Sequence, residues 1–256
     1  MKKYCVLAVI LGICLTGQAA LVAHWTFDDS GNIGADSSGN GHNLVDYGTT
    51  PAYSADGVTN GAAVFDGSST GLRTASFMSG GNFTLTLWIK PDSWEATSYV
   101  FRHWSNDYGF NIYAAWVPAE VAFAALAPVS SDTYLRPRYT PVAGEWQHLA
   151  LSFAADSGPD GNGEYTGTLT AYIDGEAVAA NTSVKYSPAG EGVTTLGLGR
   201  YSSNYYDGLI DDVRIYDNAL SAGEIDALAT VPEPASAGLT LLGITAMLLI
   251  RKRLAR

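Results

Sequence analysis

Two acid pairs stand in strand-like surroundings. Asp211 and Asp212 interrupt the run Leu209-Ile210-Asp211-Asp212-Val213-Arg214-Ile215-Tyr216, and Asp28 and Asp29 close the run Ala23-His24-Trp25-Thr26-Phe27. A carboxylate inside an apolar strand is costly unless it is solvated, paired or bound to a cation. Three arrangements are therefore open: a place at the sheet rim, an ion pair with Arg214, or coordination of a metal. Calcium takes six to eight oxygens. Carboxylates on neighbouring strands, with carbonyls from the Gly-, Ser- and Asn-rich loop that follows Asp28, could supply them.

The second chemistry is offered by aromatic rings. Between Tyr99 and Tyr139 the chain carries Tyr99, Phe101, Trp104, Tyr108, Phe110, Tyr113, Trp116, Phe123, Tyr134 and Tyr139. An alternating strand cannot point all of these inward, so Trp104, Tyr113 and Trp116 are candidates for a concave face on which flat rings stack against sugars. The other reading is outer-layer packing beneath loops. A second aromatic loop, with Tyr201, Asn204, Tyr205 and Tyr206, offers rings and hydrogen-bonding groups for the rim of such a site, of which Tyr201 and Tyr205 are taken as ligand contacts.

Catalytic patterns are weaker. His24, His42, His103 and His148 have no metal-binding spacing, and no Gly-x-Ser-x-Gly elbow occurs. The loop Asp156 to Glu164 superficially resembles a calcium loop, but Gly158 and Gly167 stand where carboxylates are needed, so a hairpin tip is expected. Glu224-Ile225-Asp226 is similar to the start of a bacterial glucanase motif. Its second glutamate is missing, and the segment reads as a helix opened by a capping box, Ser221-Ala222-Gly223-Glu224, rather than as a strand holding two carboxyls roughly 5 Å apart. The chain is therefore expected not to be an enzyme.

The elements that would position these residues are mostly strands. With 28 Gly, 15 Tyr, 6 Trp and only 15% charged residues, the composition predicts many short strands joined by tight turns and little helix. Phe83 to Lys90 is the clearest central strand, expected to end at Pro91. Ala62–Phe65 and Gly71–Thr74 read as a hairpin around Asp66-Gly67-Ser68. Trp146–Phe153 and Thr166–Ile173 read as a second hairpin, followed by a tight turn at Asp174-Gly175. The two acid-bearing strands should be antiparallel neighbours, and a short helix, Ala222–Ala229, should close the domain.

In this order, Trp25-Thr26-Phe27-Asp28, Asp36-Ser37-Ser38-Gly39-Asn40-Gly41, Val64-Phe65-Asp66-Gly67, Phe83 to Pro91, Glu145-Trp146-Gln147-His148, Ala171-Tyr172-Ile173-Asp174-Gly175 and the strand at Asp211 resemble the laminin-G-like, concanavalin A-like jelly-roll family. The resemblance covers about residues 21–229. It implies an all-β, two-sheet antiparallel jelly-roll sandwich, and a structural calcium ion with Asp28 and Asp211 as side-chain ligands, Asp36 and Asn40 from the loop, and Asp29 or Asp212 as substitutes. The fold hosts many functions, so it specifies the ligand poorly.

The ends of the chain read as addresses. Residues 1–20 (Met1-Lys2-Lys3, an apolar run, then Thr16 to Ala20) have the pattern of a removable signal peptide and contain both cysteines, Cys5 and Cys14. The remainder would have no disulfide although it leaves the cytoplasm. Residues 230–256 contain Val231-Pro232-Glu233-Pro234, an apolar run Ala235–Ile250, and the basic end Arg251-Lys252-Arg253. Sixteen residues of helix span about 24 Å, short of a bilayer core of roughly 30 Å, so insertion into the inner membrane is marginal. This tail resembles the PEP-CTERM sorting signal of Gram-negative bacteria, which implies processing by an exosortase and a place at the cell surface or in the extracellular matrix; a permanent single-span anchor is the alternative. Six of the 14 Lys and Arg but only one of the 25 acidic residues, Glu233, lie in these two end segments, leaving eight against 24, a net charge near −16. Such a surface disfavours nucleic acid and leaves cations and neutral sugars as partners. The sequence as a whole points to a non-enzymatic exported module that recognises a polysaccharide or glycoprotein; the alternative is a structural component of the extracellular polysaccharide matrix, whose aromatic face contacts other copies.

Overall fold

A computed structural model describes residues 19–230 except 76, 79, 96, 106–107, 116–119, 128–132, 189–191 and 199–204. The strands are β1 (Leu21–Trp25), β2 (Val45–Asp46), β3 (Ala52–Ser54), β4 (Ala62–Asp66), β5 (Leu72–Ala75), β6 (Phe83–Ser93), β7 (Tyr99–Ser105) and β8 (Tyr108–Ala114). They continue with β9 (Val121–Leu126), β10 (Thr133–Leu135), β11 (Gln147–Ser157), β12 (Tyr165–Ile173), β13 (Glu176–Tyr186), β14 (Val193–Leu196) and β15 (Asp207–Tyr216), and the helix α1 (Ala222–Ala229) follows. The strands form two antiparallel sheets, β13-β12-β11-β6-β15-β4-β3 with β1 also on β15, and β10-β9-β8-β7-β14-β5-β2. This is the jelly-roll sandwich of the concanavalin A-like fold.

Alternation explains how the sheets meet. Phe83, Leu85, Leu87 and Ile89 of β6 and Leu149, Leu151 and Phe153 of β11 are buried on one face, opposite Phe101 of β7, Phe110 and Ile112 of β8 and Phe123 of β9. The rings of Phe83 and Phe110 stack across the interior with centroids 4.0 Å apart and planes 12° apart. His103 is buried in the same layer, its Nδ1 2.7 Å from Thr194 Oγ1, and burial lowers its pKa to about 3, so it is a neutral core residue.

Several local expectations hold. β1 and β15 pair antiparallel, β11 and β12 form a hairpin, and Asp174-Gly175 joins β12 to β13 with φ of 49° and 83°. The helix has its capping box, with Ser221 and Glu224 bonded reciprocally. Its buried Ile225 packs with Leu220, Ala150 and Tyr172 on the outer face of the eight-stranded sheet.

Three expectations are corrected. β4 and β5 are not a hairpin: β4 pairs with β15 and β3, whereas β5 pairs with β14 and β2, so the chain crosses between sheets after β4. Asp66 makes that crossing, its carboxylate accepting from the backbone N–H of Ser68, Ser69 and Thr70 and from the hydroxyls of Ser69 and Thr70. Pro91 does not end β6. It pairs with Gly208, where β15 shifts register, and β11 pairs no further along β6 than Ile89, so the missing donor disrupts no ladder. The alternation of β15 also breaks: a register shift against β6 between Asp211 and Arg214, with Asp212 at φ 48°, puts Ile210, Val213 and Ile215 together in the core.

Candidate functional site

The residues expected to bind a metal fall into two groups. Asp36 and Asn40 are held by β1 and its own loop. Asp36 Oδ1 accepts from the N–H of His24 and Ser38 and Oδ2 from that of His42, and Asn40 Nδ2 donates to the carbonyls of Leu21 and Val22 at 3.0 and 2.9 Å. These bonds, despite some burial, hold the Asp36 carboxyl below its usual pKa. Asp28 and Asp211 instead meet the segment 57–61: Asp28 Oδ1 accepts from Gly61 N at 2.9 Å, and Asp211 Oδ2 from Val58 N at 2.7 Å and Thr59 N at 3.3 Å.

Around the second group the oxygens are crowded. A Cβ at Gly57 would lie 2.2 Å from the Gly61 carbonyl and 3.0 Å from Asp211 Oδ2, and one at Gly61 would lie 2.7 Å from the Phe27 carbonyl. Only glycine permits this approach. Asp211 is fully buried, and burial pushes its pKa up to about 7 against the lowering effect of three backbone N–H donors. No cationic side chain among the described residues pairs with it. A buried carboxylate without a counter-charge, beside an exposed one and two carbonyls, is a donor set of the kind calcium takes. Among the described residues no group of three or more His, Cys, Asp and Glu is placed to hold a metal, so backbone oxygens would have to supply part of the coordination.

The substitutes expected from the sequence are otherwise engaged. Asp29 accepts from Gly31 N at 2.8 Å on the surface. Asp212 lies on the outer face of the eight-stranded sheet, 2.6 Å from His24 Nε2 and 3.0 Å from Arg214 Nε, and this pairing holds its pKa down despite burial. His148 is buried close by, with its pKa lowered to about 4 by desolvation and its Nδ1 without a partner.

The outer face of the seven-stranded sheet carries a different site. Cross-strand pairing sets one transverse row across all its strands: Val45, Arg73, Thr195, Arg102, Asn111, Ala124 and Tyr134. Their immediate neighbours Leu72, Leu196, Phe101, Phe110, Phe123 and Leu135 are core residues, so the row lies on the outer side of the sheet, exposed at Val45, Arg73 and Tyr134 and buried at Thr195, Arg102, Asn111 and Ala124. Arg73, Arg102 and Trp104, with Tyr47, Val193, Thr195 and Leu198, line a shallow recess of about 120 Å³. The guanidinium of Arg102 lies 3.7 Å over the Trp104 ring and 5.6 Å from that of Tyr99; that of Arg73 lies 4.9 Å from the Tyr47 ring, and that of Arg136 5.8 Å from Tyr134. Asn111, in the middle of the row, is buried with an Oδ1 that has no partner.

Of the aromatic residues expected to bind sugar, Trp104 lines this recess with one ring face covered by Arg102. Tyr113 stacks on Tyr99 with centroids 4.9 Å apart. Tyr205 bridges to Leu198, a lining residue. Trp116 and Tyr201 lie outside the described residues. Sequence reasoning missed Tyr47, Arg73, Arg102, Tyr134 and Arg136. Part of their signal was local: Arg102 and Trp104, like Tyr134 and Arg136, are an arginine and an aromatic two residues apart, which an extended chain places on one face.

The chain belongs to the concanavalin A-like lectin/glucanases superfamily, whose family model matches residues 56–226. The superfamily's description covers both lectins and hydrolases. Domain 4 of AbnA, an extracellular GH43 arabinanase from Geobacillus stearothermophilus solved in complex with arabinotriose, is 27% identical, with a TM-score of 0.68 over 83% of this chain and 99% of that domain. The binding domain of Paraclostridial Mosquitocidal Protein 1 shares the fold at 16% identity, with a TM-score of 0.63 over 82% of this chain and 52% of that one. An acid beta-fructofuranosidase of Vicia faba is 27% identical over 169 residues, 64% of this chain and 26% of that enzyme, so the match spans about a quarter of the relative's length.

Proposed function

We propose that this protein is a non-enzymatic carbohydrate-binding module that takes a polysaccharide or glycoprotein glycan on the outer face of the seven-stranded sheet. The observation that carries the reading is the recess at Trp104, Arg102 and Arg73, which combines the rings of Trp104 and Tyr47 with the exposed guanidinium of Arg73, Arg102 itself being buried. The relationship to an arabinanase domain solved with arabinotriose supports a glycan as the kind of partner. Two features favour binding over hydrolysis. Glycoside hydrolysis uses a pair of carboxyl groups, and among the described residues no acidic side chain lines the recess. Glu224, the one glutamate with a resemblance to a hydrolase motif, is exposed and bonded to Ser221 in the capping box.

A calcium ion in a structural role belongs to the same proposal, held by Asp28 and Asp211 with the carbonyls near Gly57 and Gly61. It would neutralise the buried carboxylate and tie both ends of the domain to the 57–61 segment. The remaining parts concern residues outside those described: export through residues 1–20, transient residence in the inner membrane through 230–256, exosortase-type processing of that tail, and display at the cell surface or in the extracellular matrix of a Gram-negative bacterium. Among the described residues no helix is long and apolar enough to cross a membrane.

The test is retention of the purified protein on a panel of insoluble and soluble polysaccharides, in calcium and in chelator. Saturable retention by at least one polysaccharide without release of sugar is expected. Turnover of a bound polysaccharide would replace the module by a hydrolase, and self-association without retention on any polysaccharide would favour the matrix-building alternative.

A further inference from the structure

Resting on the glycan-binding reading, we propose that the ligand is a polyanion, a polysaccharide carrying carboxylate or sulfate groups along its chain. The strand cations of the eight-stranded sheet and the exposed arginines of the seven-stranded sheet, Arg73 and Arg136, are used in opposite ways. On the eight-stranded sheet the strand cations Lys90, Lys185 and Arg214 pair with Asp56, Asp160 and Asp212. On the seven-stranded sheet Arg73 and Arg102, with Arg136 just beyond β10, are laid over the rings of Tyr47, Trp104 and Tyr134. Arg73 and Arg136 are exposed and have no carboxylate partner among the described residues. In a chain with 25 acidic residues and 14 basic ones, two exposed arginines left unneutralised on one face stand out.

Their spacing suits an extended ligand. Arg73 and Arg102 are two strands apart in the row, and Tyr134, which carries Arg136, lies three strands beyond Arg102. At about 4.8 Å per strand their backbones are roughly 10 and 14 Å apart. The two exposed guanidiniums, Arg73 and Arg136, thus stand at the ends of a line about 24 Å long with the buried Arg102 between them, which suits a chain bearing charge at intervals rather than one ion. A planar guanidinium donates two parallel N–H groups to a carboxylate or sulfate. Stacking of neutral sugar is correspondingly restricted, because Arg102 covers one face of Trp104 and Tyr99 one face of Tyr113. The acidic remainder of the surface repels a polyanion and confines it to this face.

The test compares pectate with its fully methyl-esterified form and dextran sulfate with dextran, all in chelator so that calcium cannot bridge acidic protein to acidic glycan. The full chain should be retained by pectate or dextran sulfate, with the uncharged counterpart at least tenfold weaker. The pair that shows the effect identifies carboxylate or sulfate as the group read. Retention should fall steeply between 50 and 500 mM salt, as the Debye length shortens from about 14 Å to about 4 Å. Arg73→Gln and Arg136→Gln, at exposed positions that leave the fold unchanged, should each weaken it about three- to fivefold. Equal retention of charged and uncharged forms overturns the polyanion proposal while leaving the glycan-binding reading intact. Anionic retention indifferent to both arginine variants also overturns it, and retention of no polysaccharide overturns both readings.

Discussion

Asp211 allows the sharpest quantitative prediction. Its carboxyl is fully buried, and burial raises its pKa from the usual 3.8 to about 7. About three units at 1.36 kcal/mol each separate the two protonation states by roughly 4 kcal/mol. The folded chain therefore holds a proton on Asp211 between about pH 4 and 7 that the unfolded chain has released, so in chelator the stability of the fold declines as pH rises through this window and levels off above it. Asp211→Asn has no such ionisation. Urea denaturation at pH 5 and pH 8 in chelator should show the variant gaining on the wild type by about 2.6 kcal/mol between the two, the share of the full loss that falls above pH 5, and taking this difference cancels every other titrating group. Calcium at 100 times its dissociation constant should restore about 2.7 kcal/mol to the wild type at pH 8 and nothing to the variant. A wild type that does not lose ground to the variant between pH 5 and 8 would refute the argument for a buried, uncompensated carboxylate. A full calcium response in Asp211→Asn would remove this residue from the metal site.

Two further predictions concern the frame of the site. Phe110→Ala, which removes a ring stacked on Phe83 at 4.0 Å in the core between the sheets, should cost about 3–5 kcal/mol in chemical denaturation. A loss below 1 kcal/mol would mean that this layer does not hold the sheets together. Glu224→Ala removes half of the capping box and should cost about 1 kcal/mol while leaving polysaccharide retention unchanged; a change in sugar binding or turnover would give Glu224 a role in the site.

Where the sequence was informative, the relevant physics was local. The helix Ala222–Ala229 is specified by its own cap, the turn at Asp174-Gly175 by a pair that tolerates positive φ, and the β11–β12 hairpin by two alternating runs separated by a glycine-rich tip. Where it was not, the outcome depended on distant partners. A five-residue connection after Asp66 looks like a hairpin until the different sheets that claim β4 and β5 are known. Pro91 looks like a stop until Gly208 is seen opposite it. The acid pair Asp28 and Asp211 was legible as a place where charge needs compensation, but the 57–61 segment that they share was not, because it contains no acid directed at them. The arginine-aromatic row was missed for the same reason: Arg73, Arg102 and Tyr134 align through the register of seven strands, and the acidity of the whole chain concealed two exposed arginines without a carboxylate partner.

The central claim is that the recess at Trp104 on the outer face of the seven-stranded sheet binds glycan. Its most direct test is to fill that recess: Thr195→Tyr places a ring among Arg73, Arg102 and Trp104. Affinity electrophoresis through gels containing the polysaccharide that retains the wild type should then show at least a tenfold loss of retardation in protein that still unfolds cooperatively, its stability lowered by about 1–3 kcal/mol because Thr195 is buried and its hydroxyl donates to the Leu198 carbonyl. Undiminished retardation in a folded Thr195→Tyr protein would contradict the assignment of this face as the binding site.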